Sequence, residues 1–520
     1  MTDDGGSTPP VPATATPEPG ASVPPLPPSA DRVPPRAPAH PAPRDGAEPG
    51  PGAAGASAPE VADVGRRRFF RLLAADAIQT AAQVVGVAAA LQRTSAEAAA
   101  SLLEEGTTSA AVPASAPPPP SAHRSPFRME ASALYVLDQG RFPFESIEIE
   151  CQSGAEASRA IREMNVRGAP AIAQVAAYAL ALTAERTRDA KPYVRLATLR
   201  GTANSLAGAR IAPVALRAAV DRMLARMTAV GELIEDGGPI ADALRAEADA
   251  IAMEATLDHA RLVEAGRAEL VTLVERAELA VAGEPLAGEP ATPAARPLGV
   301  LTLGSTGALS GGQIGTALGV AIAYHATGRP LHVHVLESRP GLDGARLAAW
   351  ELAQAGVPHT VLADGAVGWL LSRGGIDAML LGADRIALDG SVLGPLGTLQ
   401  AALAGASAHV PVLVCAPGTA IDPAAVDLAD LPDETRPPIE LMRVRGVDVS
   451  APGTPWLDPL VDVTPPEVVD CFVTEAGVIR RPFGAALADL AAAVAARRPE
   501  PGPVGRDALA GPRPDVEGPR

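Results

Sequence analysis

AMLLGADRIALDGSVLGPLGT, residues 378–398, gives the clearest indication of fold class in this chain. Its apolar run, Ala378 to Leu381, ends in Gly382-Ala383-Asp384, which is typical of a buried parallel strand with a carboxylate at its C-terminal end. In open α/β sheets, ligands bind at that edge. The Asp389-Gly390 turn then leads into a Gly-rich segment that opens a helix, so backbone N–H groups are predicted to face an anion. The alternative interpretation is a strand followed by an ordinary tight turn.

The second half of the chain repeats this arrangement of an apolar strand followed by a helical pattern. Its helices read GGQIGTALGVAIAYHATG, GARLAAWELAQAG and LGTLQAALAGASAH. Alternating strands and helices predict a parallel, doubly wound sheet with right-handed crossovers. The predicted fold class is therefore α/β, with an N-terminal mostly helical domain followed by a Rossmann-like doubly wound parallel sheet domain. The other strands of the sheet are VLTLGS (300–305), LHVHVLES (331–338), HTVLADG (359–365) and VPVLVCAP (410–417).

The part of the chain before this sheet has a different pattern. Residues 127–151, FRMEASALYVLDQGRFPFESIEIEC, alternate apolar and polar residues around an Asp-Gln-Gly turn, which indicates a β-hairpin or a small β-element. From Ser153 to Leu273 the period becomes helical. The predicted bounds are 126–277 for the β-hairpin and helical domain, 278–297 for an exposed linker, and 298–498 for the Rossmann-like domain.

The ends of the chain offer little to bury. Residues 1–64 are rich in Pro and are predicted to be a disordered arm, with a second Pro-rich linker at 106–125 and a disordered tail at 499–520. Such segments serve as linkers or as contacts for other proteins, and the sequence does not name the partner of the N-terminal arm.

Residues 65–105 form an island between the two Pro-rich segments. GRRRFFR followed by an apolar run resembles a twin-arginine export signal. Because Asp76, Gln79 and Gln83 interrupt the run, we favour an amphipathic helix that docks on the body of the protein or on a partner. The run is also too polar to span a bilayer.

Charge and cysteine content exclude several function classes. The net charge of −17 at pH 7 argues against a general binder of nucleic acid or of anionic membranes. Cys151, Cys415 and Cys471 are too widely separated to form a disulfide framework or a zinc site by spacing. We therefore expect a cytoplasmic protein without a metal centre.

Polar residues follow each predicted strand of the sheet. Since the C-terminal ends of parallel strands share one edge, these residues predict a site for a phosphorylated metabolite or a nucleotide. The alternative for any one of them is a helix cap, a routine use of Ser, Thr and Asp; five groups together favour a site. They are Gly304-Ser305-Thr306, Glu337-Ser338-Arg339, Asp364, Asp384 and Cys415-Ala416-Pro417.

Four longer motifs occur in collinear order: MNVRGAPAIA (164–173), VLESRPGLDGARLAAWEL (335–352), GADRIALDGSVLGPLGT (382–398) and LVDVTPPEVVDCFVTEAGVIRRP (460–482). Together they resemble the methylthioribose-1-phosphate isomerase family. That family also includes archaeal ribose-1,5-bisphosphate isomerases and the regulatory subunits of eukaryotic translation initiation factor two-B. The resemblance extends from about Phe127 to about Phe483.

The resemblance implies an aldose–ketose isomerisation of a phosphorylated pentose in methionine salvage, without metal or organic cofactor. Hydrogen moves between C2 and C1 after ring opening, so the reaction needs an acid and a base in a dry pocket. In family members a Cys at a Gly-rich strand end and the Asp of the GADR-like motif have this role, and arginines hold the phosphate. A homodimer is also implied.

Several family positions are retained in this chain. Asp384 is the expected catalytic carboxylate, and Arg167 and Arg210 are the expected phosphate ligands. The remaining expected binding positions are Gly168 and Ala169 beside Arg167, the loop residues Ser305, Thr306 and Gly307, and Gly394.

Two departures bear on catalysis. Where family isomerases read threonine, histidine, cysteine, asparagine, alanine, glycine, this chain reads Thr302 to Gly307, so Gly304 replaces the Cys. An asparagine–lysine pair is replaced by Gly394-Pro395, which also deletes a backbone donor. Losing one member of an acid–base pair costs ~10²–10⁴ in rate, about 3–5 kcal/mol. Cys415, at another strand end, is the candidate substitute acid; its alternative role is that of a small buried hydrophobe.

Three functions fit these residues. The first is a sugar-phosphate isomerase-like enzyme, which the resemblance favours. The second is a non-catalytic regulatory protein that binds a sugar phosphate or a nucleotide, which the substitutions at Gly304 and Gly394-Pro395 favour. The third is a scaffold that recruits a partner through the N-terminal segments.

Overall fold

The structure is a computed structural model that describes residues 125–130, 132–281, 296–429, 431–436, 439–444 and 447–497. The predicted arm (1–64), the Arg-rich helix (65–105) and the tail (499–520) lie outside the described residues, as do nearly all of the 106–125 linker and most of the 278–297 linker. The proposed domain bounds therefore stay predictions.

The first described segment folds into a small antiparallel sheet where the sequence predicts a β-hairpin or a small β-element. Its strands are β1 (Phe127–Met129), β2 (Leu134–Leu137) and β3 (Glu148–Cys151), in the order β1-β2-β3. Leu134 and Val136 are buried and Tyr135 between them is partly exposed, as alternation along a strand requires.

Five helices follow the small sheet: α1 (Gly154–Arg162), α2 (Ala169–Arg186), α3 (Pro192–Ala207), α4 (Val214–Val230) and α5 (Gly238–Val281). Ser153 caps the start of helix α1, because its hydroxyl accepts from the backbone N–H of Glu156 at 3.3 Å. Helix α2 is central to this half, because 15 of its 18 residues are buried. Its many alanines allow α4 and α5 to pack closely against it.

Helix α5 connects two hydrophobic cores. It is 44 residues long, which corresponds to about 66 Å of helix. Ile240 and Leu244 near its start belong to the core around α2. Leu262 and Leu270 belong to the core beneath the main sheet. One continuous helix therefore ties the helical half to the sheet half.

The main sheet has seven strands, in the order β15-β14-β10-β7-β4-β5-β6. All neighbouring strands are parallel except β15, which is antiparallel to β14. This result confirms the α/β class with a largely parallel sheet. The strands are β4 (Leu298–Thr302), β5 (Leu331–Leu336), β6 (His359–Leu362), β7 (Ala378–Leu381), β10 (Val412–Cys415), β14 (Cys471–Thr474) and β15 (Gly477–Arg480).

Helices cover both faces of this sheet, which explains why its strands read as continuous apolar runs. Val300 and Leu380 pack on one face, against α5 and α7. Leu301 and Leu381, one residue further along each strand, pack on the other face against α9 and α10. The helices of this half are α6 (Ala308–Gly311), α7 (Ala317–Ala326), α8 (Ala349–Gln354), α9 (Val367–Ser372), α10 (Thr398–Ser407), α11 (Ile439–Met442) and α12 (Gly484–Ala495).

Two small antiparallel sheets complete the fold. One pairs β11 (Arg443–Val444) with β12 (Val447–Asp448). The other has the order β13-β9-β8, from β8 (Arg385–Ile386), β9 (Val392–Pro395) and β13 (Val461–Thr464). Strands β8 and β9 of the second sheet follow β7 in the chain, and the segment after β9 starts α10. None of the helices in the described part of the chain has both the length and the apolar character needed to cross a bilayer.

Candidate functional site

The strand order reverses direction between β4 and β7, and this is the point where open α/β sheets bind ligands. Residues Gly304 to Thr306 follow β4, and Asp384 follows β7. The predicted strand-end residues on these two neighbouring strands therefore lie at one crevice. No three His, Cys, Asp or Glu side chains of the described residues cluster as metal ligands at this edge or elsewhere.

The carboxyl group of Asp384 has a pKa above its ordinary value. Burial raises its pKa from 3.8 to about 6, and the nearby guanidinium groups of Arg210 and Arg385 only partly oppose that effect. The carboxylate of Glu434 raises it further. A carboxyl group with a pKa near neutrality both accepts and donates protons at physiological pH, as general acid–base chemistry requires.

Arg210 lies in the loop between α3 and α4, close enough to Asp384 to affect its pKa. Its guanidinium pairs with the Glu434 carboxylate, and the two side chains are only 9% and 11% exposed. Glu434 also accepts from the backbone N–H of Ala212 at 3.0 Å. The predicted phosphate ligand is therefore already neutralised by an acid that sequence analysis did not single out.

Arg385 holds the loop that carries Arg210. Its guanidinium donates to the carbonyl of Ile211 at 2.6 Å and to that of Ala212 at 3.1 Å. It also pairs with Asp422 at 3.2 Å. The residue after Asp384 thus fixes the position of the loop opposite the carboxylate.

Arg167 lies on the other side of β4. Its side chain pairs with Asp343, in the loop after β5, and donates to the carbonyl of Met164 at 3.1 Å. Gly168 has φ +90°, and a Cβ there would overlap Ser310. Ala169 is buried at the start of α2. The RGAP motif is therefore packed against the loop that follows β4, and no hydrogen bond or ion pair in the described residues joins Arg167 to Asp384.

A short segment connects the surroundings of the two arginines. Glu434 pairs with Arg210, and Arg436, two residues later, donates to the sulfur of Met164 at 3.6 Å. Met164 accepts from Arg167. The two predicted phosphate ligands thus flank the end of β4 and are linked through residues 434–436.

The loop after β4 is fixed by internal hydrogen bonds. The Ser310 hydroxyl donates to the Ser305 hydroxyl at 2.6 Å. Thr306 is buried, and its hydroxyl accepts from the backbone N–H of Leu318 at 3.2 Å. Gly307 is buried against the carboxyl group of Glu351. Of the three predicted loop residues, Ser305 is the most exposed.

Glu351 is a buried acid that sequence analysis missed. It lies on α8 and accepts from the backbone N–H groups of Ala308 at 2.6 Å and Leu309 at 3.4 Å. Burial raises the pKa of Glu351 to about 7, although these hydrogen bonds oppose the change. It holds the start of the helix that follows the loop. The only sequence signal was its place in the AAWEL segment, where a polar residue interrupts an apolar run.

Gly304 and Gly394 occupy restricted positions. Gly304 has φ +72° and its backbone N–H donates to the Ser338 hydroxyl at 2.8 Å. A Cβ on Gly394 would lie 2.7 Å from the hydroxyl oxygen of Thr398, so the β9 segment leaves little space for a side chain there. Pro395 follows Gly394 and approaches Gly304 from the neighbouring small sheet.

The start of α10 departs from the expectation of a free anion site. The Asp462 carboxylate accepts from the backbone N–H groups of Gly397 at 2.7 Å and Leu399 at 3.0 Å. These N–H groups do face an anion, but the anion belongs to the protein. The Asp364 carboxylate is also occupied: it accepts from the backbone N–H groups of Ser338 and Arg339, in the loop after β5, at 2.8 and 2.7 Å. It therefore fixes a loop and does not cap a helix there.

Cys415 lies apart from this crevice. Its thiol is fully buried in the core with Leu413 and Val473, and burial raises its pKa well above the ordinary value. Among the described residues, the Cys415 thiol makes no contact with the crevice and has no nearby base to activate it. This environment is that of the small buried hydrophobe named above as its alternative role.

Comparison with known proteins identifies the family. Residues 165–481, more than half of the chain, match the initiation factor 2 subunit family. The chain belongs to this family. The resemblance deduced from the four sequence motifs is thereby confirmed.

Two relatives of this initiation factor 2 subunit family member are named as the same isomerase. Methylthioribose-1-phosphate isomerase of Desulforudis audaxviator (strain MP104C) is 38% identical over 354 residues, covering 68% of this chain and 94% of the relative. The protein of the same name from Anaeromyxobacter sp. (strain K) is 41% identical over 359 residues, covering 69% and 94%.

Two crystal structures resemble the fold over most of their length. One is 5-methylthioribose 1-phosphate isomerase from Pyrococcus horikoshii OT3, with 27% identity, a TM-score of 0.58, and coverage of 70% of this chain and 95% of that one. The other is translation initiation factor eIF-2B, subunit delta, from A. fulgidus, with 28% identity, a TM-score of 0.56, and coverage of 71% and 99%. The family therefore contains both enzymes and initiation-factor subunits that share this architecture.

Proposed function

We propose that this protein binds a phosphorylated pentose at the end of β4 and isomerises it between aldose and ketose forms, as the relatives named methylthioribose-1-phosphate isomerase do. The observation that carries the proposal is Asp384, a carboxyl group with a pKa raised to about 6 at the strand-order reversal. The identity to named isomerases along nearly their whole length supports the same reaction class.

In the proposed reaction, the Asp384 carboxylate takes the proton from C2 of the ring-opened sugar. It returns that proton to C1, so the carboxyl group ends in its starting form. The ring oxygen takes up one proton when the ring opens, and the C2 hydroxyl releases one proton when C2 becomes the ketone, so the reaction has no net gain or loss of protons. The guanidinium groups of Arg167 and Arg210 bind the phosphate, which requires each to exchange its present carboxylate partner for phosphate oxygens. Gly168 and Ala169 keep Arg167 in place, and Ser305 is the hydroxyl best exposed for contact with the sugar. Cys415 has no role in this scheme, because its thiol is sealed in the core.

A second function is favoured by the environment of Gly304. Neither Gly304 nor Pro395 provides a group that exchanges a proton, and both arginines are paired with carboxylates. The same pocket then binds a sugar phosphate or a nucleotide without turnover and acts as a regulatory site, as in the initiation-factor branch of the family. In either function the proposed protein is a cytoplasmic homodimer.

A paired measurement on the full chain separates the two functions. Turnover of methylthioribose-1-phosphate and of ribose-1,5-bisphosphate is followed in a coupled assay, and thermal stabilisation by each compound is measured in parallel. Turnover that falls by ~10² or more in Asp384→Asn supports the enzyme. Stabilisation without turnover supports the regulatory protein. Turnover that is intact in Asp384→Asn excludes the mechanism, and the absence of both signals excludes both functions.

A further inference from the structure

Glu351 is a buried carboxyl group that lies against the loop after β4. It is 1% exposed, and no cation in the described part of the chain pairs with it. Its oxygens accept from two backbone N–H groups at the start of α6, that of Ala308 at 2.6 Å and that of Leu309 at 3.4 Å. A Cβ on Gly307 would lie within 2.4 Å of the same carboxyl group. A buried acid without a cation is costly, which points to a specific role at this position.

Helix α6 is joined to the RGAP motif on its other side. Nε2 of Gln139 donates to the carbonyl of Leu309 at 2.7 Å, and Oε1 of the same side chain accepts from the backbone N–H of Arg167 at 3.1 Å. Gln139 is fully buried. Ser310 lies against Gly168, where an added Cβ would overlap it. Helix α6 therefore lies between the buried acid of α8 and the backbone that carries the Arg167 guanidinium.

The ionisable groups of the elements packed around α8 interact with other partners. Arg346, on the preceding turn, donates to three backbone carbonyls in the turn after β2, and the carboxylates of Asp138 and Asp343 raise its pKa. On β6, Nδ1 of His359 lies 2.8 Å from a backbone carbonyl oxygen. No hydrogen bond or ion pair of the described residues joins any of these side chains to Glu351. Burial is therefore the main cause that raises the pKa of Glu351 to about 7, and both of its protonation states are populated at neutral pH.

We infer that Glu351 is a positioning residue for the proposed phosphate site: its ionised carboxylate holds α6, and α6 holds the backbone of Arg167 through Gln139. The inference rests on the proposed function, in which Arg167 is a phosphate ligand. A carboxylate offers two acceptor oxygens to the two N–H groups of α6, whereas the protonated acid offers one strong acceptor and an O–H that opposes an N–H. Helix α6 is therefore held more firmly above about pH 7 than below it, and the affinity for the sugar phosphate follows the ionisation of Glu351.

Glu351→Gln tests the inference, because a glutamine has the shape of the protonated acid and likewise offers one strong acceptor oxygen. The KM of methylthioribose-1-phosphate and of ribose-1,5-bisphosphate is measured in the full chain at pH 8.5 and at pH 5.5, or their Kd by thermal stabilisation where there is no turnover. At pH 8.5 the variant is expected to bind about 10-fold more weakly than the original protein, and at pH 5.5 the two should bind equally. Comparing the two proteins at the same pH cancels the titration of the phosphate and of Asp384. Glu145→Gln, at an exposed pair with Arg141, is the control and should match the original protein at both pH values.

Amide exchange in the unaltered protein adds a measurement that does not depend on any variant folding. The amides of Ala308 and Leu309, compared with those of β5, should be more protected at pH 8.5 than at pH 5.5 after correction for the intrinsic exchange rate. Equal protection, or the same ratio of affinities at both pH values, would overturn the inference and leave Glu351 with a purely structural role. Absence of sugar-phosphate binding in every one of these proteins would instead overturn the proposed function, and the inference with it.

Discussion

An ideal Cβ on Gly304 would lie 3.4 Å from Cγ of Pro395. Gly304 and Pro395, where the sequence resemblance leads us to expect departures from the family pattern, are therefore neighbours across the crevice between β4 and the small sheet. A side chain at residue 304 would project towards an apolar ring with no proton to exchange. Gly304 and Pro395 together make this part of the crevice apolar.

The first prediction concerns the space at Gly304. Gly304→Ala is expected to lower the free energy of unfolding by ~1–2 kcal/mol because φ +72° disfavours a Cβ, whereas Pro395, at 3.4 Å, is at ordinary contact distance and adds no clash. Gly356→Ala is the matched control, since Gly356 has φ +67° and nothing within 4 Å of an added Cβ. Urea unfolding of both variants isolates the contact with Pro395. Similar losses in the two variants are expected, and a much larger loss at Gly304 would contradict the 3.4 Å spacing.

The second prediction is a pH dependence that comes from Asp384. Its pKa is raised from 3.8 to about 6 in the folded protein, so the unfolded chain binds fewer protons between these values and stability falls as pH rises through them. Asp384→Asn removes this penalty. The variant should gain up to ~3 kcal/mol over the original protein at pH 8, and much less at pH 4.5.

Urea unfolding at the two pH values measures this gain. Glu145→Gln, a surface substitution that also removes one negative charge, is the control. If Asp384→Asn is no more stabilising at pH 8 than at pH 4.5, the carboxyl group does not carry the raised pKa on which the proposed proton transfer depends.

The fold and one site residue were predictable because they depend on local pattern. The apolar runs and their spacing indicated five parallel strands, and β7 delivers Asp384 to the sheet edge as its sequence predicts. Period-two alternation also explains Cys415: with Leu413 it faces the core under α5, whereas Val414 faces the opposite side. Applying the strand period to that residue would have placed its thiol in the core.

The partners of the arginines were not predictable from the same patterns. Glu434 is 224 residues from Arg210, and Asp343 is 176 residues from Arg167. Neither acid belongs to a spacing pattern with its partner, because the fold alone brings the two segments together. The charge state of the crevice therefore had to come from the structure.

The third prediction concerns Arg385, which positions the Arg210 loop. Arg385→Leu leaves Asp422 without its partner and removes hydrogen bonds to two carbonyls, so it is expected to lower the free energy of unfolding by ~3 kcal/mol. Arg443→Leu, at an exposed pair with Asp448, should cost less than ~1 kcal/mol. Faster amide exchange at residues 209–212 in Arg385→Leu would show that the loop is released; unchanged exchange there would exclude the positioning role.

The fourth prediction concerns the carboxylate that occupies Arg210. Glu434→Gln removes the negative charge but keeps an acceptor for the Ala212 N–H, so the guanidinium of Arg210 becomes a buried cation without its acid. The free energy of unfolding is expected to fall by ~3 kcal/mol, because the remaining buried charge no longer has a partner to offset its desolvation. Inorganic phosphate should then restore stability, because it replaces the missing anion.

Thermal unfolding with and without phosphate measures that restoration. Phosphate should raise the midpoint of Glu434→Gln more than that of the original protein, in which Glu434 competes for the same guanidinium. The double variant Arg210→Ala, Glu434→Gln is the control and should lose the phosphate response, since no cation remains at that position. An equal response in all three proteins would mean that phosphate binds away from Arg210, and Arg210 would then have to be removed from the proposed phosphate site.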